Sequence, residues 1–402
     1  MKIVNLKKHN LTLLVSLLIL ICCLVPSVNA VHIENFASDN SIYYVGGNGP
    51  SNFTTIQGAI DAASDDDTIF VYNGTYNENI VINKSLTILG ENKTNTIIDG
   101  KGKTDTITIN SENTTIQGFT ITNATSSDII QIFRAGIRIT RSHNTIKNNI
   151  IKDNNAGVFT RRATNITIFE NEFYNNAITL SPYDIEETNV PISKEYFIHT
   201  IENNTINGKK ILYLKNQQNI KIPSEIGQLI TFNCSNITVE NISFTKCDFS
   251  LMMTYTNHCK IYNSQFIDDA DIWIMQSNYN IFENNIMTKN FHGITLDYNS
   301  KYNIMRYNNF SENQMMGVMI ESRSDFNVIE KNNMIKNNYS NAFMRNSFMN
   351  KWKNNYWDDW VGLKHPLLRL MPKTIFGWPF KKINITAQVN FDWHPAVKPY
   401  EI

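Results

Sequence analysis

A short apolar pattern that returns every 21 to 24 residues constrains the fold of this chain more than any other feature. Between Asn236 and Trp357 it appears six times, as VENISF, IYNSQF, FENNIM, MRYNNF, IEKNNM and WKNNYW. Apolar and polar residues alternate within these segments, as in a β-strand with one buried face, whereas a helical repeat needs a period of 3.6. The spacing is that of one coil of a parallel β-solenoid, so the sequence predicts an all-β fold of roughly eleven coils.

Each segment closes on a large apolar residue, and these residues should stack inside the solenoid: Phe244, Phe266, Met287, Phe310, Met334 and Trp357. Asparagine accounts for 58 of the 402 residues. Asn accepts the left-handed backbone conformation of tight corners, and stacked Asn amides can hydrogen-bond from coil to coil. We therefore expect most Asn residues to be structural.

The overall composition excludes two classes of protein. Lys and Arg number 36 and so do Asp and Glu, so the chain lacks the positive charge that nucleic-acid binding requires. A hydrophobic content of 42% is enough for a core and excludes wholesale disorder.

The first thirty residues have the pattern of a secretory signal peptide. A basic start is followed by the apolar run from Leu11 to Val25 and by small residues up to Ala30. A retained signal anchor is the alternative. No second apolar stretch long enough to span a membrane follows, so the mature chain is expected outside the cell, secreted or on the cell surface, without a membrane span.

Three cysteines remain in the mature chain, and an odd number cannot form a complete disulfide framework. We expect Cys234, Cys247 and Cys259 to be small buried apolar residues. Fourteen N-x-[ST] sequons, from Asn52 to Asn384, predict surface glycosylation.

Open solenoid ends expose unpaired strands and need caps. We expect an N-terminal segment with a capping helix in 31–67, the solenoid in 68–357 and a C-terminal cap in 358–402. Phe53, Ile56, Ile60 and Ala63 share one face of the predicted helix. The tryptophans of the C-terminal cap are expected to cover the last coil, with sugar-binding platforms as the alternative: Trp360, Trp378 and Trp393.

Several phrases resemble the archaeal NosD-type proteins of the pectin-lyase-like superfamily. They are IQGAIDAASDDDTIFVYNGTYNENIVINKSLTILG, TINGKKILYLKNQQNIKIPSEIGQLITFNCSNITVENISF, NNYWDDW and NFDWHPAVKPYEI. The resemblance implies a single-stranded right-handed parallel β-helix and an exported or cell-surface protein. Such proteins are described as copper-binding or carbohydrate-binding repeat proteins, and the resemblance supplies no catalytic motif.

Alignment of the second strand in successive coils predicts one outward column of side chains: Tyr255, Gln276, Asp297, Glu321 and Arg345. Asp297 and Glu321 would then lie about 5 Å apart. That separation suits the carboxylate pair of a retaining glycosidase, and one of the two acids should resist ionisation beside the other. An incidental pair on a solvated strand is the alternative.

Further residues are expected to flank this column. His292 and Arg323 are two of them, and Asp268, Asp269 and Asp271 form an acidic loop. Paired acids with Arg suit calcium-assisted proton abstraction from a uronate, so Ca²⁺ is the one cofactor the sequence suggests, with the acidic loop as its site.

A second column is basic, because GIRITRSH and GVFTRRAT should stack on each other. Its members are predicted ligands for the carboxylate or sulfate groups of a glycan: Arg134, Arg138, Arg141, Arg161 and Arg162. The insertion from Ser181 to Glu195 leaves the solenoid nearby, and Tyr183 is expected to form one wall of a groove.

All Met residues except the first lie between Met252 and Met371. Thioethers bind Cu(I), but Met287 and Met334 occupy apolar repeat positions, which favours core packing over a copper site.

Two function classes follow. The first is an exported β-helix protein that binds a polysaccharide or cell-surface glycan, or serves as an adhesin-like module. The second is a polysaccharide lyase or glycoside hydrolase that acts on an acidic polysaccharide.

Overall fold

A computed structural model describes residues 40–125, 134–183, 192–378 and 388–402. The predicted signal segment, 1–30, lies outside the described residues. The compact unit from Asn40 to Ile402 is a parallel β-solenoid of about 13 coils, two more than the repeat count suggested. The predicted fold class, an all-β right-handed parallel β-helix, is confirmed.

In the N-terminal half, each coil adds a strand to a stack, and neighbouring strands pair in parallel. The first stack is β1 Ile42–Val45, β2 Thr68–Val71, β5 Thr87–Gly90, β8 Thr115–Gln117, β11 Thr145–Lys147, β14 Thr167–Phe169 and β17 Thr200–Glu202. The second is β3 Gly74–Tyr76, β6 Thr96–Asp99, β9 Thr120–Thr122, β12 Ile150–Lys152, β15 Glu172–Tyr174 and β18 Thr205–Ile206. The third is β4 Ile80–Ile82, β7 Ile107–Ile109, β10 Ala135–Ile139, β13 Ala156–Arg161 and β16 Ile178–Ser181.

In the C-terminal half, which follows β19 (Lys209–Lys215), the same arrangement continues. The first stack is β21 Thr238–Glu240, β24 Lys260–Tyr262, β27 Ile281–Glu283, β30 Ile304–Arg306, β33 Val328–Glu330, β36 Lys351–Lys353 and β39 Gln388–Asp392. The second is β22 Ser243–Thr245, β25 Gln265–Ile267, β28 Ile286–Thr288, β31 Asn309–Ser311, β34 Asn333–Ile335 and β37 Tyr356–Trp357. The third, called the long-strand sheet below, is β20 Ile226–Phe232, β23 Phe249–Thr254, β26 Asp271–Met275, β29 His292–Asp297, β32 Met316–Glu321, β35 Ser340–Arg345 and β38 Lys373–Trp378.

The predicted apolar stack is present in the second of these sheets. Phe244 pairs with Phe266, Phe266 with Met287, Met287 with Phe310 and Phe310 with Met334, and all five are fully buried. The rings of Phe244 and Phe266 stack at 5.0 Å. The three cysteines are buried and free, as expected.

Buried Asn side chains join the coils at the corners. The Asn308 side chain accepts hydrogen bonds from the backbone N–H of Asn285 and donates to the carbonyl of Phe282 and to Asn332 Oδ1. The same arrangement repeats from Asn332 to Asn355, and the ladder ends where Asp392 accepts from the N–H of Asn355. The predicted Asn ladder is therefore present, with a carboxylate in place of the next amide.

Both ends carry additional elements. The helix Ile56–Ala62 buries Ile56, Ala59 and Ile60 against the first coils. Because β1 precedes this helix and pairs with β2, the solenoid begins at Ile42 and not at residue 68. Three short helical segments complete the described elements: Lys194–Phe197, Val361–Lys364 and Pro366–Leu368.

The tryptophans expected to cover the last coil differ from one another. Trp360 is 2% exposed and packs on the core as predicted, but Trp393 is 62% exposed and contacts Phe391 on the outside. Trp393 lies in the turn after Asp392, whose carboxylate is held at the end of the Asn ladder, and this directs the ring outward. The side chain of Trp378 is outside the described set.

We predict that Asn308→Ala lowers the free energy of unfolding by roughly 2–4 kcal/mol, because it leaves several buried backbone groups without partners. Urea denaturation followed by circular dichroism measures this change. Asn338→Ala, at an exposed Asn, is the control and should cost less than about 0.5 kcal/mol. Equal losses in the two variants would contradict the structural role of the ladder.

Candidate functional site

The candidate site lies on the outer surface of the long-strand sheet, where Asp297 and Glu321 end β29 and β32. Leu296 pairs with Ile320 and both point into the core, which places Asp297 beside Glu321 on the other side of the sheet. Glu321 pairs with Arg345 in the next coil, and the two side chains form an ion pair. This part of the predicted column has the expected register.

Two other members of that column are displaced by one position. Asp297 pairs with Met275, and Met275 with Thr254. Tyr255 directly follows Thr254, and Gln276 directly follows Met275. Both therefore lie at the start of the corner, where each has a positive φ of 49°. The prediction for these two residues is wrong because strands of the earlier coils end one residue sooner.

Tyr183 covers the acid pair. Its ring stacks on Trp273 at 5.7 Å, lies 5.1 Å from the ring of Tyr298, and its hydroxyl donates a hydrogen bond to Asp297 Oδ2. Asp297 is consequently 1% exposed and Glu321 6% exposed. Tyr183 therefore covers Asp297 and packs on the solenoid, and the groove expected beside it stays a prediction.

The segment that follows Tyr183 returns to the same surface after a stretch outside the described residues. Ile192 is buried, and its carbonyl accepts a hydrogen bond of 2.9 Å from Tyr255 Oη. We call the described ends of the insertion, 181–183 and 192–193, the strap. The strap fixes an apolar layer made by Trp273, Met275 and Tyr298 on the outside of the solenoid.

Burial governs the protonation of the two acids. Burial, followed by repulsion from Glu321, raises the pKa of Asp297 to about 8. Burial also raises the pKa of Glu321, although Arg345 opposes this. Burial therefore favours the protonated form of the pair, and the uneven ionisation of the two acids stays a prediction.

The predicted flanking residues separate into two groups. Arg323 is exposed at the corner directly after Glu321. His292 begins the strand that Asp297 ends, so the two lie about 16 Å apart along it. His292 therefore belongs to the opposite edge of the sheet, with the acidic loop, and does not flank the acid pair.

The acidic loop makes separate contacts. Asp268 lies 3.8 Å from Lys246 Nζ, and Asp269 accepts a hydrogen bond from Gln314. Asp271 is buried, accepts from the N–H groups of Phe291 and His292, and has its pKa raised by burial. Across the described ranges, no group of three or more His, Cys, Asp or Glu residues is placed to hold a metal ion. A calcium site at this loop stays a prediction.

Two arginines of the predicted basic face hold neighbouring coils together. Arg138 lies under Phe159 at 4.7 Å and forms a two-pronged ion pair with Asp105, with 2.9 Å between Nη2 and Oδ1. Arg134 donates to the carbonyls of Gly102 and Thr125. The predicted stacking of Arg138 beside Phe159 is present, but it directs the guanidinium to Asp105.

The other three arginines have different surroundings. Arg141 donates to the carbonyl of Thr140, and Arg162 donates to the carbonyl of Pro182 at the start of the strap. Arg161 pairs with Ser181 and is half-buried. The basic face therefore adjoins the strap, as predicted, although part of its charge is committed within the protein.

An exposed column of stacked rings, which was not predicted from the sequence, lies at the next corner. His258, Tyr279, Tyr302 and Phe326 lie in four successive coils, with nearly parallel rings 5.1, 5.1 and 5.4 Å apart. All four have a positive φ between 58° and 62°. We call this the aromatic column.

The aromatic column occupies positions that earlier coils fill with Asn. Asn219 and Asn236 have the same left-handed backbone and are joined by a side-chain hydrogen bond of 2.6 Å. A left-handed conformation costs an L-residue roughly 1–2 kcal/mol, and Gly and Asn adopt it more readily than an aromatic residue. The repeated signal was present in the sequence as YNIF, YNIM and FNVI, at spacings of 23 and 24.

Part of the chain is similar to a known protein family. Residues 185–361 match the family model of NosD, the periplasmic copper-binding protein. The predicted resemblance to NosD-type β-helix proteins is confirmed over those residues. No curated protein matches the chain.

Three of the solved structures that are similar to this chain share 10–13% of its sequence. A GH136 lacto-N-biosidase from Eubacterium ramulus is 10% identical, with 78% of this chain and 68% of that chain covered and a TM-score of 0.30. Carrot pectin methylesterase is 10% identical, with 77% and 82% covered and a TM-score of 0.26. The A-module of mannuronan C-5 epimerase AlgE6 from Azotobacter vinelandii is 13% identical, with 74% and 94% covered and a TM-score of 0.29.

The described cysteines and the stacked methionines of the core do not fit a copper site, although the NosD model carries that description. Cys234 and Cys259 donate their thiols to backbone carbonyls, and burial raises the pKa of Cys259 to about 12, which disfavours the thiolate that binds metal. Met287 and Met334 are fully buried in the apolar stack. The structure also has no helix, in its described ranges, that is long and apolar enough to cross a membrane.

We predict that the buried acid makes stability depend on pH. Asp297 loses its proton near pH 4 when unfolded and near pH 8 when folded, so the free energy of unfolding should fall as the pH rises between these values. Asp297→Asn should make this fall shallower in urea denaturation at pH 5, 6.5 and 8. Glu312→Gln, at an exposed acid, is the control. An unchanged slope in Asp297→Asn would contradict the raised pKa.

Proposed function

We propose that this protein is an exported β-helix protein that binds a linear polysaccharide along the aromatic column. The observation that carries the proposal is the exposure of four stacked aromatic positions at strained corners. Tyr279, Tyr302 and Phe326 are 50%, 44% and 40% exposed. The location outside the cytoplasm is supported by the apolar N-terminal segment and by the periplasmic family whose model matches.

The aromatic composition of the column, more than its left-handed backbone, argues for a role beyond stability, because other corners adopt the same backbone with residues such as Lys289 and Glu312. Stacking of an aromatic pair returns about 0.5–1.5 kcal/mol, which only offsets the cost of a left-handed aromatic residue. Asn at the same corner avoids that cost and still forms a coil-to-coil hydrogen bond, as Asn236 does with Asn219. The exposed ring edges and tyrosine hydroxyls are therefore better explained by a ligand that contacts them.

The period of the column favours a polymer. One ring follows another every 5.1 to 5.4 Å along the solenoid axis, so an extended chain lying on this axis meets an equivalent contact at each coil. Repeated weak contacts of this kind add up for a polymer but not for a single sugar.

The charge beside the column favours an acidic chain. Arg323 is exposed three residues before Phe326. Arg345 is exposed at the same edge but forms an ion pair with Glu321. Guanidinium groups bind carboxylate or sulfate through paired hydrogen bonds. A uronic-acid or sulfated polysaccharide therefore suits the surface better than a neutral one.

We expect Tyr279→Asn combined with Tyr302→Asn to weaken retention on a polygalacturonate affinity gel by about tenfold or more, because two aromatic contacts are lost. Asn relieves the backbone strain at both corners, so the variant should unfold at the temperature of the parent or above it. Tyr339→Asn, at a tyrosine 62% exposed outside the column, is the matched control. Equal retention of the double variant and the parent would remove the column as the binding surface.

A second candidate function is cleavage of an acidic polysaccharide at Asp297 and Glu321. It is favoured by one observation, the adjacent acids of which Asp297 keeps its proton to about pH 8. That arrangement offers a general acid next to a carboxylate base. Because Tyr183 covers the pair, a substrate reaches it only when the strap moves away.

For this candidate we expect Asp297→Asn and Glu321→Gln each to abolish release of reducing ends or unsaturated uronates from polygalacturonate. The retained fold is verified by circular dichroism. Glu312→Gln serves as the control and should keep the activity. If an activity is found and both amide variants keep it in full, the acid pair is not the catalytic site.

A further inference from the structure

The loop at the C-terminal end of the solenoid exposes apolar side chains without an internal partner among the described elements. Leu367 and Leu370 are 94% and 93% exposed, more than any other large apolar residue in the described ranges. Met371 and Leu368 are 52% and 37% exposed. Single exposed leucines are ordinary, but four neighbouring apolar side chains in five residues form a patch. We call residues 364–371 the leucine loop.

The solenoid holds the leucine loop in place. Trp360, buried in the last coil, donates its indole N–H to the carbonyl of Met371 at 3.1 Å. Lys373 Nζ lies 2.6 Å from Asp359 Oδ2, and Leu368 N–H donates to the carbonyl of His365 at 2.8 Å. The apolar side chains are therefore presented outward from a fixed base.

The loop and the chain that follows it carry one sign of charge, although Asp358 and Asp359 directly precede the loop and Asp359 pairs with Lys373. From Val361 to Phe391 the chain carries five basic residues and no Asp or Glu, although the whole chain has 36 of each sign: Lys364, Arg369, Lys373, Lys381 and Lys382. Cations that flank exposed leucines are the composition of segments that enter the interface of a negatively charged bilayer.

We propose that the leucine loop docks the protein on an anionic lipid surface, with Leu367 and Leu370 in the interface and Lys364 and Arg369 at the headgroups. A second copy of the chain fits less well, because a symmetric contact would bring the basic side chains of two loops together. A neutral lipid surface would make no favourable contact with the basic side chains of the loop. This docking is separate from glycan binding, since it uses neither the aromatic column nor the acid pair.

The test measures partition of residues 31–402 onto sedimented vesicles of phosphatidylcholine with and without 30% phosphatidylglycerol. We expect binding to the anionic vesicles that weakens at least tenfold in Leu367→Ser with Leu370→Ser. Lys364→Gln with Arg369→Gln should lower partition severalfold and reduce its dependence on salt. Met349→Ser, at an apolar residue 68% exposed elsewhere, is the control and should bind like the parent.

Three outcomes would overturn the proposal. They are no partition of the parent onto anionic vesicles at low salt, unchanged partition of the Leu367→Ser, Leu370→Ser variant, and equal partition onto neutral and anionic vesicles. Sedimentation equilibrium without lipid adds a fourth, because a parent dimer that the serine variant lacks would identify a second copy as the occupant. Since both leucines are almost fully exposed, the variant should keep the unfolding temperature of the parent.

Discussion

The hydrogen bond from one buried Asn to the corner of the next coil is the interaction on which the rest of this structure depends. A parallel solenoid pairs its strands through the backbone, but each corner interrupts that pairing and leaves buried polar groups to satisfy. Asn285, Asn308, Asn332 and Asn355 satisfy them at one corner, and Asp392 closes the series. Because the ladder fixes each corner, the outward positions next to it are held in register over many coils.

That register creates both surfaces to which we assign a role. It places Glu321 between Asp297 and Arg345, and it stacks four rings at the following corner. Neither surface needs a dedicated loop, since each is a column of single residues repeated by the solenoid. A functional surface of this kind changes by substitution at one position per coil, without any change in the fold.

The features that depend on the periodicity of the repeats could be predicted from the sequence. The inward stack through Phe266 and Met287, the structural role of Asn and the adjacency of Asp297 to Glu321 all follow from the spacing of the repeats. The errors lie where local geometry breaks the period. Tyr255 and Gln276 were misaligned because their strands end one residue earlier, which spacing alone does not reveal.

Contacts between distant parts of the chain could also not be predicted from the sequence. Tyr183 reaches Asp297 across 114 residues, and Arg138 turns to Asp105 because an acid lies in the preceding coil. The aromatic column recurs in the sequence as YNIF, YNIM and FNVI, but no prediction was drawn from these segments. Their significance comes from their stacking and exposure, which only the coordinates supply.

The strap gives the rod a property that stacked repeats otherwise lack. Solenoid repeats contact only their neighbours, so such a rod can fray from one end while the other end stays folded. By joining Tyr183 to Asp297, the strap ties β16 to β29, with the coils of β20, β23 and β26 between them. Those coils cannot open one at a time without releasing the strap, and the middle of the rod is therefore expected to unfold as one cooperative block.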